Sequence, residues 1–251
     1  MKNNDKQKEI DVQNFVADYY EQVRYKNEHS IKYHNFWFEK MVNMAEPTGL
    51  ILDNGCGTGE LIAYLRNIGV TNVIGCDISE NMLKHARQKT DRVVLADSES
   101  LPFESGTFDV VYVRALLHHL EDVPKAVSEV ARVIKKGGRV VFAETNKSII
   151  NDIPRKIMKK GEHFSESHKN FDANELISVI GRSLKVEKVE YFGYFGYFLL
   201  GFPDINNIYR FFPFKKILTP LLIKTDSILS RIPFVKKLAF CIMVSAKKSE
   251  I

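Results

Sequence analysis

Apolar positions recur along this chain in two alternating rhythms. Residues 50–53, 72–77, 92–96, 108–113 and 139–144 are short apolar runs of strand length, rich in Val, Ile and Leu. Between them lie segments with helical spacing at 61–67, around Met82 and Ala86, and most clearly at Val123, Ala126, Val127, Val130, Val133 and Ile134. In that last helix Asp122 is placed to cap, Pro124 is tolerated in the first turn, Lys135 and Lys136 suit the C-terminal end, and Gly137 stops it. Five strands separated by helices predict an α/β fold: a doubly wound, mostly parallel sheet covered on both faces. Ahead of it, residues 1–9 read as a frayed polar tail and 10–44 as helix, broken by Pro47-Thr48-Gly49. Behind it, 147–167 reads as an irregular connection. Asp172 with Glu175 starts a helix, 185–191 and 238–246 are strands, and an aromatic, basic insertion fills 192–237. The expected organisation is an N-terminal helical lid (1–46), a ligand-binding core (47–191), the insertion (192–237), and a closing strand and tail (238–251).

Charge changes the picture only when it is divided along the chain. The 251 residues carry a net charge of +5, with 45% hydrophobic and 27% charged residues, which excludes disordered and collagenous classes. Residues 1–184 hold 25 Lys+Arg and 26 Asp+Glu, whereas 185–251 hold 11 and 5 together with 13 of the 28 aromatics. The basic character belongs to the C-terminal quarter, so a nucleic-acid partner is not expected. Three cysteines, Cys56, Cys76 and Cys241, make a poor disulfide framework and no Cys-x-x-Cys metal pair, so no metal is expected and a reducing cytosol is. The first nine residues have no signal-like apolar core, and the longest uncharged run of the aromatic region, 191–203, is short of the ~20 residues of a membrane span. The expectation is a cytoplasmic protein, membrane-associated only at its periphery.

The chemistry concentrates where the first strand meets the first core helix, at Asp53-Asn54-Gly55-Cys56-Gly57-Thr58-Gly59-Glu60. Glycines there permit a tight turn and close backbone approach to a ligand at the carboxyl ends of the strands. The spacing is Gly-x-Gly-x-Gly rather than the dinucleotide Gly-x-Gly-x-x-Gly, and Asp53 and Glu60 repel a pyrophosphate. A cationic ligand is attracted instead, and S-adenosylmethionine carries both a sulfonium and an α-ammonium. Asp77, ending the second strand, suits a ribose diol, and Asp97-Ser98, after the third, suits an adenine amine. Any one Asp at a strand end is as readily a turn former; three in succession beside a glycine loop make a pattern.

These residues resemble the class I S-adenosylmethionine-dependent methyltransferases, nearest the ubiquinone/menaquinone-biosynthesis type. The resemblance is carried by residues 52–60, by 75–79 with Met82, by Asp97 with 101–103, by Phe108-Asp109 running to Leu117-His118-His119-Leu120, and by Lys136-Gly137-Gly138-Arg139. It covers roughly 50–189 and the closing strand. It implies a Rossmann-like sheet of seven strands in order 3-2-1-4-5-7-6, the last antiparallel. It assigns the cofactor's methionine end to Asp53, Gly55, Cys56, Gly57 and Gly59, the ribose to Asp77, adenine packing to Ile78 and Met82, and the adenine edge to Asp97 and Ser98. Arg114 stands where the family contacts the methionine moiety, and is bulky for that place.

Methyl transfer from a sulfonium needs alignment first, and a base only when the acceptor carries an acidic proton. His119, which matches the family's usual histidine, and Glu144, on the acceptor side, are candidate catalytic groups, each also accountable by local packing or capping. His118, His168, Tyr20, Tyr25 and Tyr194 are candidate substrate contacts, with Tyr19 beside them in a lid. Cys56 and Cys76 read as small buried fillers. The insertion, with Lys215-Lys216 and Lys236-Lys237 flanking an apolar stretch, is a contact for an anionic membrane surface, a pocket for a lipid-like or other small acceptor, or a cap that buries its own aromatics. Besides a methyltransferase, two other classes stay open: a non-catalytic cofactor-binding or membrane-adaptor protein, and a nicotinamide-dependent oxidoreductase, which the acidic loop disfavours.

Overall fold

The computed structural model describes residues 2–148, 170–203 and 207–250. Seven strands, β1 Ile51–Asn54, β2 Val73–Asp77, β3 Val93–Leu95, β4 Phe108–Arg114, β5 Ile134–Thr145, β6 Lys185–Phe192 and β7 Cys241–Lys247, form one sheet. Their order is β3-β2-β1-β4-β5-β7-β6, with β7 antiparallel to both neighbours and the remaining pairs parallel. This is the predicted Rossmann-like arrangement.

Side chains alternate cleanly across the sheet. Tyr112, Val141, Ala143, Cys241 and Met243 point to one face, beneath α2 (Glu28–Met44) and α3 (Glu60–Asn67). Val111, Val113, Val140, Phe142, Ile242 and Val244 point to the other, beneath α5 (Val123–Val133) and α6 (Ala173–Gly181). α4 (Glu80–Ala86) follows β2. α2 buries Tyr33, Trp37, Phe38, Met41 and Met44 at helical spacing, and Asn27 caps it by accepting from the N–H groups of His29 and Ser30. Each such fully buried aromatic contributes on the order of 2–3 kcal/mol.

Several boundaries differ from the pattern-based reading. The polar start of the chain is helix, α1 (Lys2–Tyr19), followed by one π-helical turn at Tyr20–Arg24. α1 has no strong apolar stripe; contacts with the sheet edge order it, which a local pattern does not reveal. The α5 helix ends at Val133, so Lys135 and Lys136 lie in β5 rather than at a helix terminus, and Lys135 pairs with Asp109 at 2.8 Å. Asp122 and Asp172 cap as expected, accepting from the N–H of Lys125 and from those of Asn174 and Glu175. The last strand begins at Cys241, because Lys236–Leu238 forms a 3₁₀ turn. Most of the expected connection at 147–167 lies outside the described residues.

The insertion folds into a π-helical turn (Tyr197–Gly201), a 3₁₀ turn (Ile208–Phe211) and α7 (Lys215–Leu229). One buried carboxylate organises it. Asp226 accepts from the Tyr33 hydroxyl at 2.6 Å and from the N–H groups of Tyr194 (2.9 Å), Gly196 (3.0 Å) and Tyr197 (3.0 Å). His34 adds a second tie, its Nε2 lying 2.9 Å from the Gly201 carbonyl, and burial holds that imidazole well below its ordinary pKa. Tyr197, Leu200 and Tyr209 join the main core, so part of the aromatic content does cap the sheet.

Candidate active site

β1 ends at Asp53 and Asn54, and the chain turns through three glycines into α3. Gly55, Gly57 and Gly59 have φ of 77°, 52° and 83°, a region that residues with a Cβ rarely adopt. The N–H groups of Gly55 and Cys56 donate to the Cys76 carbonyl, and that of Gly57 donates to Asp77 Oδ2 at 2.8 Å. A Cβ built on Gly57 meets nothing within 4 Å. At Gly57 the loop therefore presents bare backbone to open space, whereas Gly55 and Gly59 pack against Leu116 and Ala86, and any side chain at 57 would fill the volume a ligand needs. Cys56 and Cys76 are buried, and burial pushes both thiols up, so they serve as packing groups.

Three buried polar atoms around this turn have no hydrogen-bond partner among the described residues: Asp53 Oδ2, Asn54 Nδ2 and Thr58 Oγ1. Leaving such an atom unmatched costs about 1–3 kcal/mol, which a ligand recovers. Burial pushes the Asp53 carboxyl up to about 7; Arg114 opposes that rise and Asp77 adds to it. A buried carboxyl in this state gains most from a cation placed beside it. Asp77, also raised by burial, accepts from the Ser79 N–H at 2.9 Å as well as from Gly57, and each oxygen keeps a second lone pair for a diol. Bare loop, orphaned carboxylate and diol acceptor fit S-adenosylmethionine.

Other expected contacts are used differently. Glu60 is not a free negative charge, because Lys89 pairs with it and also bonds Glu21 at 3.0 Å and the Thr58 carbonyl at 2.8 Å. Asp97 accepts from Lys6 at 2.7 Å and from the Glu99 N–H. Ser98 is turned inward, donating to Asn54 Oδ1 at 2.7 Å, rather than presented to an adenine. Ile78 is half-buried, while Met82 packs against Val16 and Ala17 of α1. Arg114 is sandwiched, its guanidinium carbon 5.1 Å from the ring centres of both Trp37 and Phe38, with Tyr25 Oη 3.4 Å away. The bulk of this arginine is thereby accommodated by α2.

Glu144 does not face an open acceptor side. It is fully buried at the end of β5, Oε1 accepting from the N–H groups of Leu116 (2.8 Å) and Leu117 (2.6 Å), Oε2 lying 2.7 Å from His118 Nδ1. Two N–H donors fix the carboxylate, and the carboxylate in turn orients His118. His119 lies against His118 with ring centres 4.1 Å apart and the rings tilted by 37°, and its Nδ1 lies 2.7 Å from Glu9. Burial, reinforced by His118, holds His119 below its ordinary pKa, with Glu9 opposing.

Of the tyrosines, Tyr19 is exposed and Tyr20 lies under the Arg24 guanidinium at 3.9 Å. Tyr194 is buried in the insertion; its hydroxyl has no partner among the described residues and is pushed up to about 12 by burial and by Asp226. His168 lies outside the described residues. The sequence pattern misses Lys6, Asn14 and Lys89. Asn14 accepts from the Ser79 hydroxyl (2.7 Å) and the Asn81 N–H, and so docks α1 onto the start of α4. Their partners are 29 to 93 positions away, and no local motif announces them. Thr58, by contrast, stands inside the glycine loop itself.

Residues 52–142 match the family model described as a methyltransferase domain. This segment and the sheet order resemble the class of methyltransferase domains built on a seven-stranded sheet. Within that class the chain is similar to the demethylmenaquinone methyltransferase of Lactococcus lactis subsp. lactis, 41% identical over 128 residues that cover 47% of this chain and 51% of that relative. It is similar also to the ubiquinone/menaquinone biosynthesis C-methyltransferase of Idiomarina loihiensis, 34% identical over 153 residues, covering 54% and 61%. The chain thus spans between half and two-thirds of the lengths of these relatives. A Thermotoga maritima structure described as a SAM-dependent methyltransferase, possible histamine N-methyltransferase, superposes with a TM-score of 0.66 at 17% identity, over 95% of this chain and 99% of that one, a likeness of fold.

Proposed function

We propose that the protein is an S-adenosylmethionine-dependent methyltransferase acting on a small or lipid-like acceptor, of the quinone type named for its relatives. The observation that carries this reading is the buried, unpartnered Oδ2 of Asp53 beneath a loop left open at Gly57, which calls for a cation at that spot. When bound, the cofactor supplies an already activated methyl group, so the chain's main task is alignment. Asp53 would hold the positive methionine end, the backbone at Gly55–Gly59 its approach, and Asp77 the ribose hydroxyls. Where the acceptor atom carries a proton, as in methylation at carbon, His118 is the group oriented to take it, with Glu144 stabilising the imidazolium. An anionic membrane surface as the place where the acceptor is met goes with this reading. The non-catalytic alternative is not favoured, because the glycine loop with Asp53 and an oriented His118–Glu144 pair stand at the same end of the sheet.

Calorimetry tests the cofactor. S-adenosylhomocysteine should bind and NAD(H) should not, and no S-adenosylhomocysteine binding would overturn the reading. Ionised Asp53 is the form that meets a cation, so affinity should rise with pH through about 7, roughly tenfold from about pH 6 to well above 7. Asp53→Asn should flatten that profile. The ligand-free protein follows the opposite sign: the folded state holds this proton more tightly, so folding stability falls as pH climbs from about 4 to about 7. An acceptor screen with labelled cofactor, divided into lipid-soluble and water-soluble fractions, should place label in the lipid-soluble fraction.

A further inference from the structure

α7 has two faces. Thr219, Leu222, Ile223 and Asp226 turn inward, Asp226 to Tyr33 and the insertion backbone, Leu222 and Ile223 onto the main core. The outward stripe begins at its N-cap, Phe214, and continues through Ile217, Leu221 and Ile228, with Lys224 between them. The steps of 3, 4, 3 and 4 residues keep all five on one side of a helix about 20 Å long. Phe214 is 80% exposed and Ile217 72%. At the two ends of the stripe stand Phe211, 73% exposed, and Phe234, 91% exposed. A soluble surface does not ordinarily leave four such side chains in water.

The charges decide what covers them. Residues 207–240 contain seven Lys and Arg (Arg210, Lys215, Lys216, Lys224, Arg231, Lys236, Lys237) and one acid, Asp226, which is buried. This segment is therefore strongly positive; the exposed carboxylates that adjoin it among the described residues come from α2, Glu28 beside Lys216 and Glu39 across a groove lined also by the inward Thr219 and Ile223. A second copy of the chain would bring like charge against like, so self-association through this face is disfavoured. Phenylalanines at loop tips, an amphipathic helix and a basic rim together are the chemistry of an element lying in a bilayer interface, with rings below the headgroups and amines level with them. Among the described residues no helix is long and apolar enough to cross a membrane. The element would lie on the lipid, not span it.

We infer that the outer face of α7, with Phe211, Phe214 and Phe234 as anchors, docks the protein on an anionic lipid surface. Asp226 then has a second consequence: by fixing α7 against α2 it holds the docking face rigid relative to the sheet. The inference does not rest on methyl transfer, because vesicle binding and cofactor binding are read separately.

Sedimentation of the full chain with vesicles of phosphatidylglycerol and phosphatidylcholine, against phosphatidylcholine alone, tests it. At low salt the protein should pellet with the anionic vesicles, and added salt should weaken this. Phe214→Ser with Phe234→Ser should lower partitioning at least about tenfold, as loss of two buried aromatic groups requires. Lys216→Gln with Lys224→Gln should weaken it less and flatten the salt dependence. Cofactor binding and circular dichroism should stay unchanged, showing that the variants fold. No binding of the wild type to anionic vesicles at low salt would overturn the inference. So would wild-type partitioning of the phenylalanine variant, or a concentration-dependent dimer in sedimentation velocity that the same substitutions abolish.

Discussion

The two segments that flank the core, α1 and the insertion, are held by different physics. α1 crosses the carboxyl edge of the sheet on polar contacts. Lys6 meets Asp97 and Glu99, Glu9 meets His119, Asn14 meets Ser79 and Asn81, and just beyond the helix Glu21 meets Lys89. Its apolar contribution is a small cluster of Val16, Ala17 and Met82 with Tyr20. The insertion is held from inside, by a carboxylate with four donors and by rings that belong to the main core. These ion pairs keep part of their side-chain surface in water and are weakened by salt, whereas a buried, fully satisfied carboxylate cannot lose its partners cheaply. The contrast predicts that α1 can leave the carboxyl edge of the sheet without unfolding the protein, while the insertion moves only with the core.

The largest effect expected from this contrast is at Asp226. Asp226→Ala strands three buried N–H groups and the Tyr33 hydroxyl and should cost about 3 kcal/mol or more in urea unfolding, Asp226→Asn clearly less. A cost under about 1 kcal/mol for the alanine would show that rings, not the carboxylate, hold the insertion. Next comes Asn14→Ala, which should destabilise the docking of α1 by about 1 kcal/mol; amide exchange should rise in α1 while the β4–β5 core stays protected. Equal acceleration in both regions would mean that α1 is part of the cooperative core. The smallest effect is at Lys6→Ala, expected within about 1 kcal/mol and mimicked by salt. If Lys6 competes with an adenine amine for Asp97, this variant should bind S-adenosylhomocysteine at least as tightly as the parent.

Much of the candidate site is legible in the sequence alone. The loop at 53–60, Asp77 at the end of β2 and the pair His118-His119 after β4 are local motifs, because a tight turn and a strand end each need particular residues at fixed offsets. What escaped was every contact made across the edge. Glu60 and Asp97 carry charge in the sequence, yet Lys89 and Lys6, 29 and 91 positions away, decide how much of it a ligand feels. Glu144 sits at a strand end, as the pattern said, but only the turn at Leu116–Leu117 closes over it and makes it a positioning group. The exposed stripe of α7 was unreadable for a related reason. The helix is apolar on two sides, and a sequence does not say which side finds the core.

The sequence by itself determined the alternation of strands and helices along the chain and the glycine loop, since hydrophobic period and backbone φ are local properties, while the spatial order of the strands was implied by the family resemblance. The tertiary structure alone decided which charges are neutralised, which histidine meets the buried carboxylate, and which face of the insertion is left outside. Those outcomes depend on distances between residues far apart in the chain, and burial, which sets both the Asp53 carboxyl and the Phe234 ring in their opposite states, is a property of the packed molecule.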